Sequence, residues 1–150
     1  MFSNANERRK VNSLKRLAEH VLEQIEGVKR KHRVDENLKV SYAPLLKDAL
    51  LELKQSFPRK KRSWLIRAAV RSFPEFVEQD SKNRWVLKGI PQFGDLYGQY
   101  RVSFYETTQK YSCSCFSTMY GQTRKRRICT HIAAVMVYRK IQRKLTRFAA

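Results

Sequence analysis

The feature that most constrains this chain is the placement of its three cysteines, which all lie within 17 residues of one another. Cys113 and Cys115 are separated by one residue, thirteen residues follow, and Cys129 is then separated by one residue from His131. Two strand residues separated by one position point to the same face, so the first pair can bind one ion. The second pair lies where we predict the last helix to begin, and a helix N-terminus favours thiolate over thiol.

Three sulfurs and one imidazole form a tetrahedral ligand set that is usual for a closed structural zinc site, so we predict one structural Zn²⁺. A disulfide would leave one cysteine over and the histidine unexplained, and intracellular disulfides are uncommon outside hyperthermophiles. A catalytic zinc needs an open coordination position, which four protein ligands do not leave. His20 and His32 lie on or near the first predicted helix, and we expect them to be surface residues rather than ligands.

The second constraint is charge. The 150 residues include 32 Lys and Arg but only 13 Asp and Glu, which gives a formal net charge of +19. The last carboxylate is Glu106, and ten basic side chains follow it. Such an excess repels itself in a compact body unless a polyanion neutralises it, so we predict a nucleic-acid partner, with an anionic lipid surface as the alternative. A thermophile surface rich in lysine would bring glutamate with it.

Composition excludes several classes of protein. Hydrophobic residues make up 42% of the chain, which is enough to build a core. No apolar run approaches the roughly 20 residues of a membrane helix, and the first residues lack the apolar stretch of a signal peptide. The sequence contains no nucleophile–base pair, phosphate-binding loop or clustered carboxylates. We therefore expect a soluble cytoplasmic protein that is not an enzyme and has no small-molecule substrate.

The predicted fold class is α+β, with a helical region over residues 1–80. An apolar stripe with spacings of three and four predicts one long helix over about 4–32. Two further helices are predicted over about 42–57 and 61–72, and residues 35–37 are predicted to be a break.

Residues 81–150 are predicted to form the second region, two paired strands followed by a helix. Apolar and polar residues alternate from Arg84 onward, which is typical of half-buried strands. The predicted strands cover about 85–87, 100–105 and 110–115, and the last helix covers about 130–148.

The spacing C-x-C-x13-C-x-H, with a hairpin before it and a helix after it, resembles the SWIM-type zinc finger. The segment KYSCSC, which closes a strand, and the segment CTHIAAVMVYR, which opens an amphipathic helix, carry the resemblance over about residues 84–145. The resemblance implies a zinc-stabilised ββα unit that binds DNA, RNA or protein, and it specifies no single partner. We expect a nearly free-standing copy of this unit with a basic helical extension.

The predicted nucleic-acid contacts are the basic clusters of the sequence. One run lies between the two ligand pairs, and the others lie on the last helix, before the third helix and near the N-terminus. They are Arg124, Lys125, Arg126, Arg127, Arg139, Lys140, Arg143, Lys144, Arg147, Arg59, Lys60, Lys61, Arg62, Arg8, Arg9 and Lys10. Arginine suits bidentate phosphate contact and stacking on bases. For the run between the ligand pairs, the alternative is a solvated basic loop.

We favour structured RNA over DNA, because the basic residues are spread over several elements and structured RNA is read by shape and backbone contact from many directions. A small basic protein with a zinc module is similar in general character to ribosomal proteins. We therefore predict a ribosomal or ribosome-associated protein that binds rRNA within a large ribonucleoprotein assembly. The alternatives are a DNA-binding SWIM protein in transcription or recombination, and a protein-binding adaptor whose helical half is the interface.

Overall fold

The structure is a computed structural model that describes residues 5–27, 34–117 and 128–149. This part of the chain forms five α-helices and one four-stranded antiparallel sheet, which confirms the mixed α+β class. The helices are α1 (Ala5–Glu26), α2 (Glu36–Ser41), α3 (Ala43–Ser56), α4 (Arg62–Arg71) and α5 (Thr130–Ala149). The strands are β1 (Val77–Ser81), β2 (Arg84–Lys88), β3 (Gln99–Tyr105) and β4 (Lys110–Cys113), with short 3-10 helices at Pro91–Phe93 and Ser114–Ser117. Within the described ranges, no helix combines the length and the apolar character needed to cross a bilayer.

The first helix is shorter than predicted. Its apolar stripe is buried as expected, with Leu14 and Val21 fully enclosed. It ends at Glu26, and Gly27 follows with a φ of 74°, the left-handed conformation that commonly terminates a helix. The predicted continuation falls on residues 28–33, which lie outside the described residues.

The predicted break at residues 35–37 is instead the start of a helix. The Asp35 side chain accepts hydrogen bonds from the N–H groups of Asn37 at 2.9 Å and Leu38 at 3.4 Å, and so caps α2. The same residue types favour both turns and helix N-caps, which is why the sequence alone predicts a break here. The described part of the helical region therefore has four helices, where two or three were predicted.

The sheet is a meander in the order β1-β2-β3-β4, so each strand pairs with its neighbours in sequence. β1 was not predicted, because every residue in it after Val77 is exposed and the strand lacks an alternating pattern. Between β2 and β3, Trp85 pairs with Val102 and Leu87 pairs with Tyr100. These four side chains are buried and form the inner face of the sheet.

Helix α5 is the central element of the structure. Its residues Ala133, Val137 and Ile141 pack in one core cluster with α1, α3 and α4, whereas Ile132 and Val135 pack against the sheet. A helix that is apolar on nearly all sides is a buried helix. The N-terminal half of α5 therefore lies between the helical layer and the sheet. The predicted boundary between regions near residue 80 stays a prediction.

The packing of α3 predicts a matched pair of effects. Leu46 is fully buried on this helix, whereas Leu51 on the same helix is 38% exposed. We expect Leu46→Ala to lower the free energy of unfolding by about 2–5 kcal/mol, because it leaves a cavity in the core. Leu51→Ala should cost less than about 1 kcal/mol. Urea denaturation measures both, and equal losses would contradict the described packing of α3.

Candidate metal centre

The structure brings Cys113, Cys115, Cys129 and His131 together, as predicted. Their ligand atoms lie within 4.8 Å of one another, and all four residues are buried. Cys113 ends β4, and Cys115 lies in the 3-10 helix that follows. Cys129 directly precedes α5, and His131 lies in its first turn. All three cysteines are free thiols in the structure. Two ligand pairs from distant parts of the sequence therefore form one cluster.

The first pair converges in a different way from the one predicted. We predicted a strand through Cys115, whose alternation would point both sulfurs to one face. Instead β4 ends at Cys113 and the chain turns into a 3-10 helix over Ser114–Ser117. The Ser114 hydroxyl accepts a hydrogen bond at 3.0 Å from the N–H of Arg101 on β3, which holds this turn against the sheet. The two sulfurs are thus brought together by a tight turn.

The second pair is positioned by the N-terminus of α5. The Cys129 sulfur accepts a hydrogen bond at 3.4 Å from the N–H of Ile132, as an N-cap side chain does. Hydrogen bonds with the thiols of Cys113 and Cys115 lower the pKa of Cys129, although burial acts in the opposite direction. Hydrogen bonds with Cys115 and Cys129 raise the pKa of Cys113. The cluster therefore favours a thiolate at the helix N-terminus, where the dipole stabilises negative charge.

The two ring nitrogens of His131 lie in different environments. Nε2 lies 3.2 Å from Oδ1 of Asp95. Nδ1 is buried and has no hydrogen-bond partner within the described part of the chain. The ring stacks on Tyr100 with centroids 4.1 Å apart and planes 21° apart, which fixes its orientation. A buried nitrogen without a partner costs free energy, so Nδ1 is the nitrogen left for a metal ion, with Nε2–H donating to the carboxylate.

Asp95 connects the metal centre to α4 through Arg71. Oδ1 of the carboxylate accepts from Nη2 of Arg71 at 3.1 Å, and Oδ2 accepts from Nη1. Oδ2 also accepts from the N–H of Ile90 at 2.7 Å. Arg71 in turn donates from Nε to the hydroxyl of Thr130, 3.1 Å away. The Arg71 and Asp95 side chains are 2% and 6% exposed, so a buried polar chain runs from α4 to the first turn of α5.

The charge state of this chain follows from its contacts. Burial alone would raise the pKa of Asp95, but its hydrogen bonds with His131 and Arg71 outweigh burial and bring that pKa to about 2. The carboxylate is therefore ionised and matches the guanidinium charge. The ring of Phe93 lies 5.2 Å from the Arg71 guanidinium carbon and covers it. Sequence reasoning missed Arg71 and Asp95, because nothing local distinguishes them from surface charges.

The donor set suits a soft or borderline metal ion rather than Ca²⁺ or Mg²⁺, which prefer oxygen ligands. Bonds of about 2.3 Å from sulfur to zinc place ligand atoms about 3.7 Å apart in a tetrahedron. The longest ligand separation, 4.8 Å, is about 1 Å greater than such a tetrahedron requires. The four residues could therefore hold one metal ion.

Four of the sixteen predicted nucleic-acid contacts form ion pairs within the described part of the chain, and four others lie outside the described residues, at 124–127. The paired residues contact acidic side chains on other elements. These ion pairs are Lys10–Glu75, Arg62–Glu23, Arg62–Glu26, Lys140–Glu52 and Lys144–Asp48.

Two further predicted contacts lie over aromatic rings. The guanidinium of Arg139 lies 5.2 Å from the ring centroid of Trp85 and donates a hydrogen bond to the Tyr111 hydroxyl at 2.6 Å. The ammonium of Lys60 lies 5.0 Å from the ring centroid of Trp64. The remaining predicted contacts are exposed and form no ion pair with any described residue: Arg8, Arg9, Arg59, Lys61, Arg143 and Arg147.

Comparison with known proteins gives no relative: no protein-family model, curated protein or solved structure matches this chain. The resemblance to SWIM-type zinc fingers therefore rests on the ligand spacing and on the elements that carry the ligands.

The buried ion pair gives a prediction for Asp95. We expect Asp95→Asn to lower the free energy of unfolding of the metal-loaded protein by about 3–5 kcal/mol, because the Arg71 charge loses its buried partner. Asp48→Asn is the control, since this carboxylate is 56% exposed where it pairs with Lys144. It should cost less than about 1 kcal/mol. Urea denaturation compares the two variants, and equal losses would contradict the role given to Asp95.

Proposed function

We propose that this chain is a non-enzymatic nucleic-acid-binding protein whose C-terminal half is a SWIM-type module stabilised by one structural zinc ion. The observation that carries the proposal is the buried cluster of Cys113, Cys115, Cys129 and His131. Four protein donors complete a tetrahedral shell and leave no position for water or substrate. This supports a structural rather than a catalytic role for the metal ion.

Zinc is the metal that the ligands favour. Sets of three cysteines and one histidine are typical of structural zinc sites. The contact between His131 and Asp95 is the arrangement in which a carboxylate orients a histidine ligand and raises its basicity. The order of elements supports the SWIM assignment, because the β3–β4 hairpin carries the first ligand pair and α5 carries the second.

The charge distribution supports a polyanionic partner. The net charge is +19, and no carboxylate follows Glu106. The two ligand pairs flank the segment that carries Arg124, Lys125, Arg126 and Arg127, so a bound zinc ion fixes both ends of this segment. We propose that these four residues contact phosphate groups.

Structured RNA is the favoured nucleic acid. The predicted contacts that are exposed and have no ion pair among the described residues lie on different elements, namely α1, the segment before α4, and the C-terminal half of α5. Such a distribution suits a partner that approaches from several directions, as folded RNA does. We therefore propose a ribosomal or ribosome-associated role. A duplex DNA partner and a protein partner are the competing outcomes of the binding experiment.

Loss of a ligand tests the structural role of the metal. We expect Cys129→Ser to reduce bound zinc from one ion per chain to a small fraction of that, because the thiolate at the helix N-terminus is lost. Circular dichroism should show a loss of helical signal, because α5 begins next to Cys129 and packs in both core clusters. Elemental analysis gives the zinc content. A variant that keeps a full equivalent of zinc and its fold would contradict the proposed ligand set.

Removing charge between the ligand pairs tests the nucleic-acid contact. We expect replacement of Arg124, Lys125, Arg126 and Arg127 by Gln to weaken binding to an RNA hairpin and to flatten its salt dependence. Each lost phosphate contact lowers the slope of log K against log salt by about 0.7–0.9. Fluorescence anisotropy at several salt concentrations measures this slope for the wild type and the variant.

The control for this variant is its zinc content, which should equal that of the wild type because no ligand is changed. An unchanged salt slope would contradict phosphate contact by residues 124–127. A DNA duplex of the same length serves as the comparison ligand, and tighter binding to DNA than to RNA would favour the DNA alternative. Weak binding to both nucleic acids, together with recovery of a protein partner, would favour the adaptor.

A further inference from the structure

A pocket of about 360 Å³ lies between the β1–β2 hairpin and α5. The hairpin contributes Gln79, Lys82 and Trp85, and α5 contributes several side chains between Tyr138 and Arg147. This volume falls within the range of about 300–1,000 Å³ that is usual for ligand pockets. Among the described residues that line it, none is acidic. The pocket is separate from the metal centre, because no metal ligand lines it.

The arginine side chains that α5 contributes to this pocket form no ion pairs with described carboxylates, unlike the lysine side chains of the same helix. Arg139, Arg143 and Arg147 are spaced by four residues and therefore share one face of the helix. Like charges at this spacing destabilise a helix, so packing alone does not explain them. By contrast, Lys140 and Lys144 pair with carboxylates on α3. On the side of α5 that faces α3, the lysine charges are paired with carboxylates. On the side that faces the hairpin, positive charge is in excess.

Two acidic side chains interact with residues that line this pocket or the neighbouring one, and the charge of Glu106 interacts with that of Arg139 as well as with Lys82. Lys82 pairs with Glu106 at 3.3 Å, but these side chains are 84% and 56% exposed, and such pairs are weak. Arg143 also borders a smaller pocket of about 150 Å³ between α3 and α5, which Glu52 lines. Glu52 forms its ion pair with Lys140, and Arg143 forms none with any described residue.

Two of the lining side chains, Trp85 and Arg139, are held in place by the surrounding structure. Trp85 is 1% exposed, and its indole Nε1 has no acceptor among the described residues. Arg139 is held over the rings of Trp85 and Phe104, at 5.2 and 4.8 Å, and is anchored by the Tyr111 hydroxyl. A cation that is already ordered loses little side-chain entropy when it binds a ligand.

We propose that this pocket binds the phosphate group of a nucleotide unit, with Arg143 and Arg147 as its main contacts. Arginine binds phosphate oxygens with its paired N–H groups. The side-chain amides of Gln79 and Gln142, which also line the pocket, offer donors and acceptors to the rest of the nucleotide. This proposal rests on the proposed function for the source of the nucleotide, which is then one unit of a bound nucleic-acid strand. A free nucleotide carries the same phosphate ester and would bind in the same way.

Two double variants on the same helix test the proposal with equal changes in charge. Arg143→Gln with Arg147→Gln removes the uncompensated pair, and Lys140→Gln with Lys144→Gln removes the pair that faces α3. We expect the arginine variant to weaken binding to a labelled RNA hairpin at least tenfold and to lower its salt slope by about 1.4–1.8, which corresponds to two phosphate contacts. The factor by which the lysine variant weakens binding should be at least three times smaller than the factor for the arginine variant. Circular dichroism verifies that both remain folded.

The two indole N–H signals provide a second measurement that does not depend on nucleic-acid affinity. In ¹H–¹⁵N spectra of the zinc-loaded full chain, we expect the signal of Trp85 to shift when adenosine monophosphate is added. The signal of Trp64, whose ring lies under Lys60 at a different site, should not move. The shift at Trp85 should be lost in the arginine variant and kept in the lysine variant.

The outcomes separate this proposal from the proposed function. One outcome overturns the pocket proposal while nucleic-acid binding stands. In it, the wild type binds RNA, but the two variants lose affinity equally and the Trp85 signal does not shift. If the wild type does not bind RNA or DNA but Trp85 shifts with adenosine monophosphate, the pocket stands with a free nucleotide as its ligand and the proposed function fails. If neither ligand has an effect, both proposals are overturned.

Discussion

The ion pair between Arg71 and Asp95 is the contact on which the arrangement of this molecule depends. It is almost fully buried, and it joins the end of α4 to the loop before β3. Asp95 also contacts His131, and Arg71 contacts Thr130, so the same pair fixes the first turn of α5. Two buried opposite charges are tolerated because each has several hydrogen-bond partners, and removal of either leaves the other uncompensated. The helical layer and the metal centre are therefore coupled through one polar chain.

Helix α5 links the metal centre, the two core clusters and the basic C-terminal residues of the chain. Its first turn carries His131 and is capped by Cys129, its middle is enclosed by both core clusters, and most side chains over residues 143–147 are exposed. A helix that is held at one end by ligands and along its middle by packing presents its C-terminal charges in a fixed position. That rigidity connects the metal site, which binds no substrate in our proposal, with the basic surface that we propose to bind nucleic acid.

Much of this organisation could be predicted from sequence, because it depends on local patterns. The spacing of Cys113, Cys115, Cys129 and His131 identified the cluster, and periodicity placed α3, α4 and α5 within two residues of their observed ends. Elements with no local signal or an ambiguous one were missed, namely the polar strand β1 and the helix α2, whose capping residue Asp35 is of a type that also favours turns. Pairing between distant residues could not be predicted either: the sequence does not distinguish Asp95, which is buried, from Asp48, which is exposed. For the same reason, all five basic residues of α5 were predicted as nucleic-acid contacts, whether or not they are paired in the structure.

The central claim is that three sulfurs and one imidazole nitrogen close the metal site. X-ray absorption spectroscopy at the zinc edge of the purified, zinc-loaded protein tests it most directly. The proposed site requires three sulfur ligands at about 2.3 Å and one nitrogen ligand at about 2.0–2.1 Å, with no further ligand in the first coordination shell. A spectrum with an oxygen ligand from water, with fewer than three sulfurs, or with five-coordinate zinc would contradict a closed structural site.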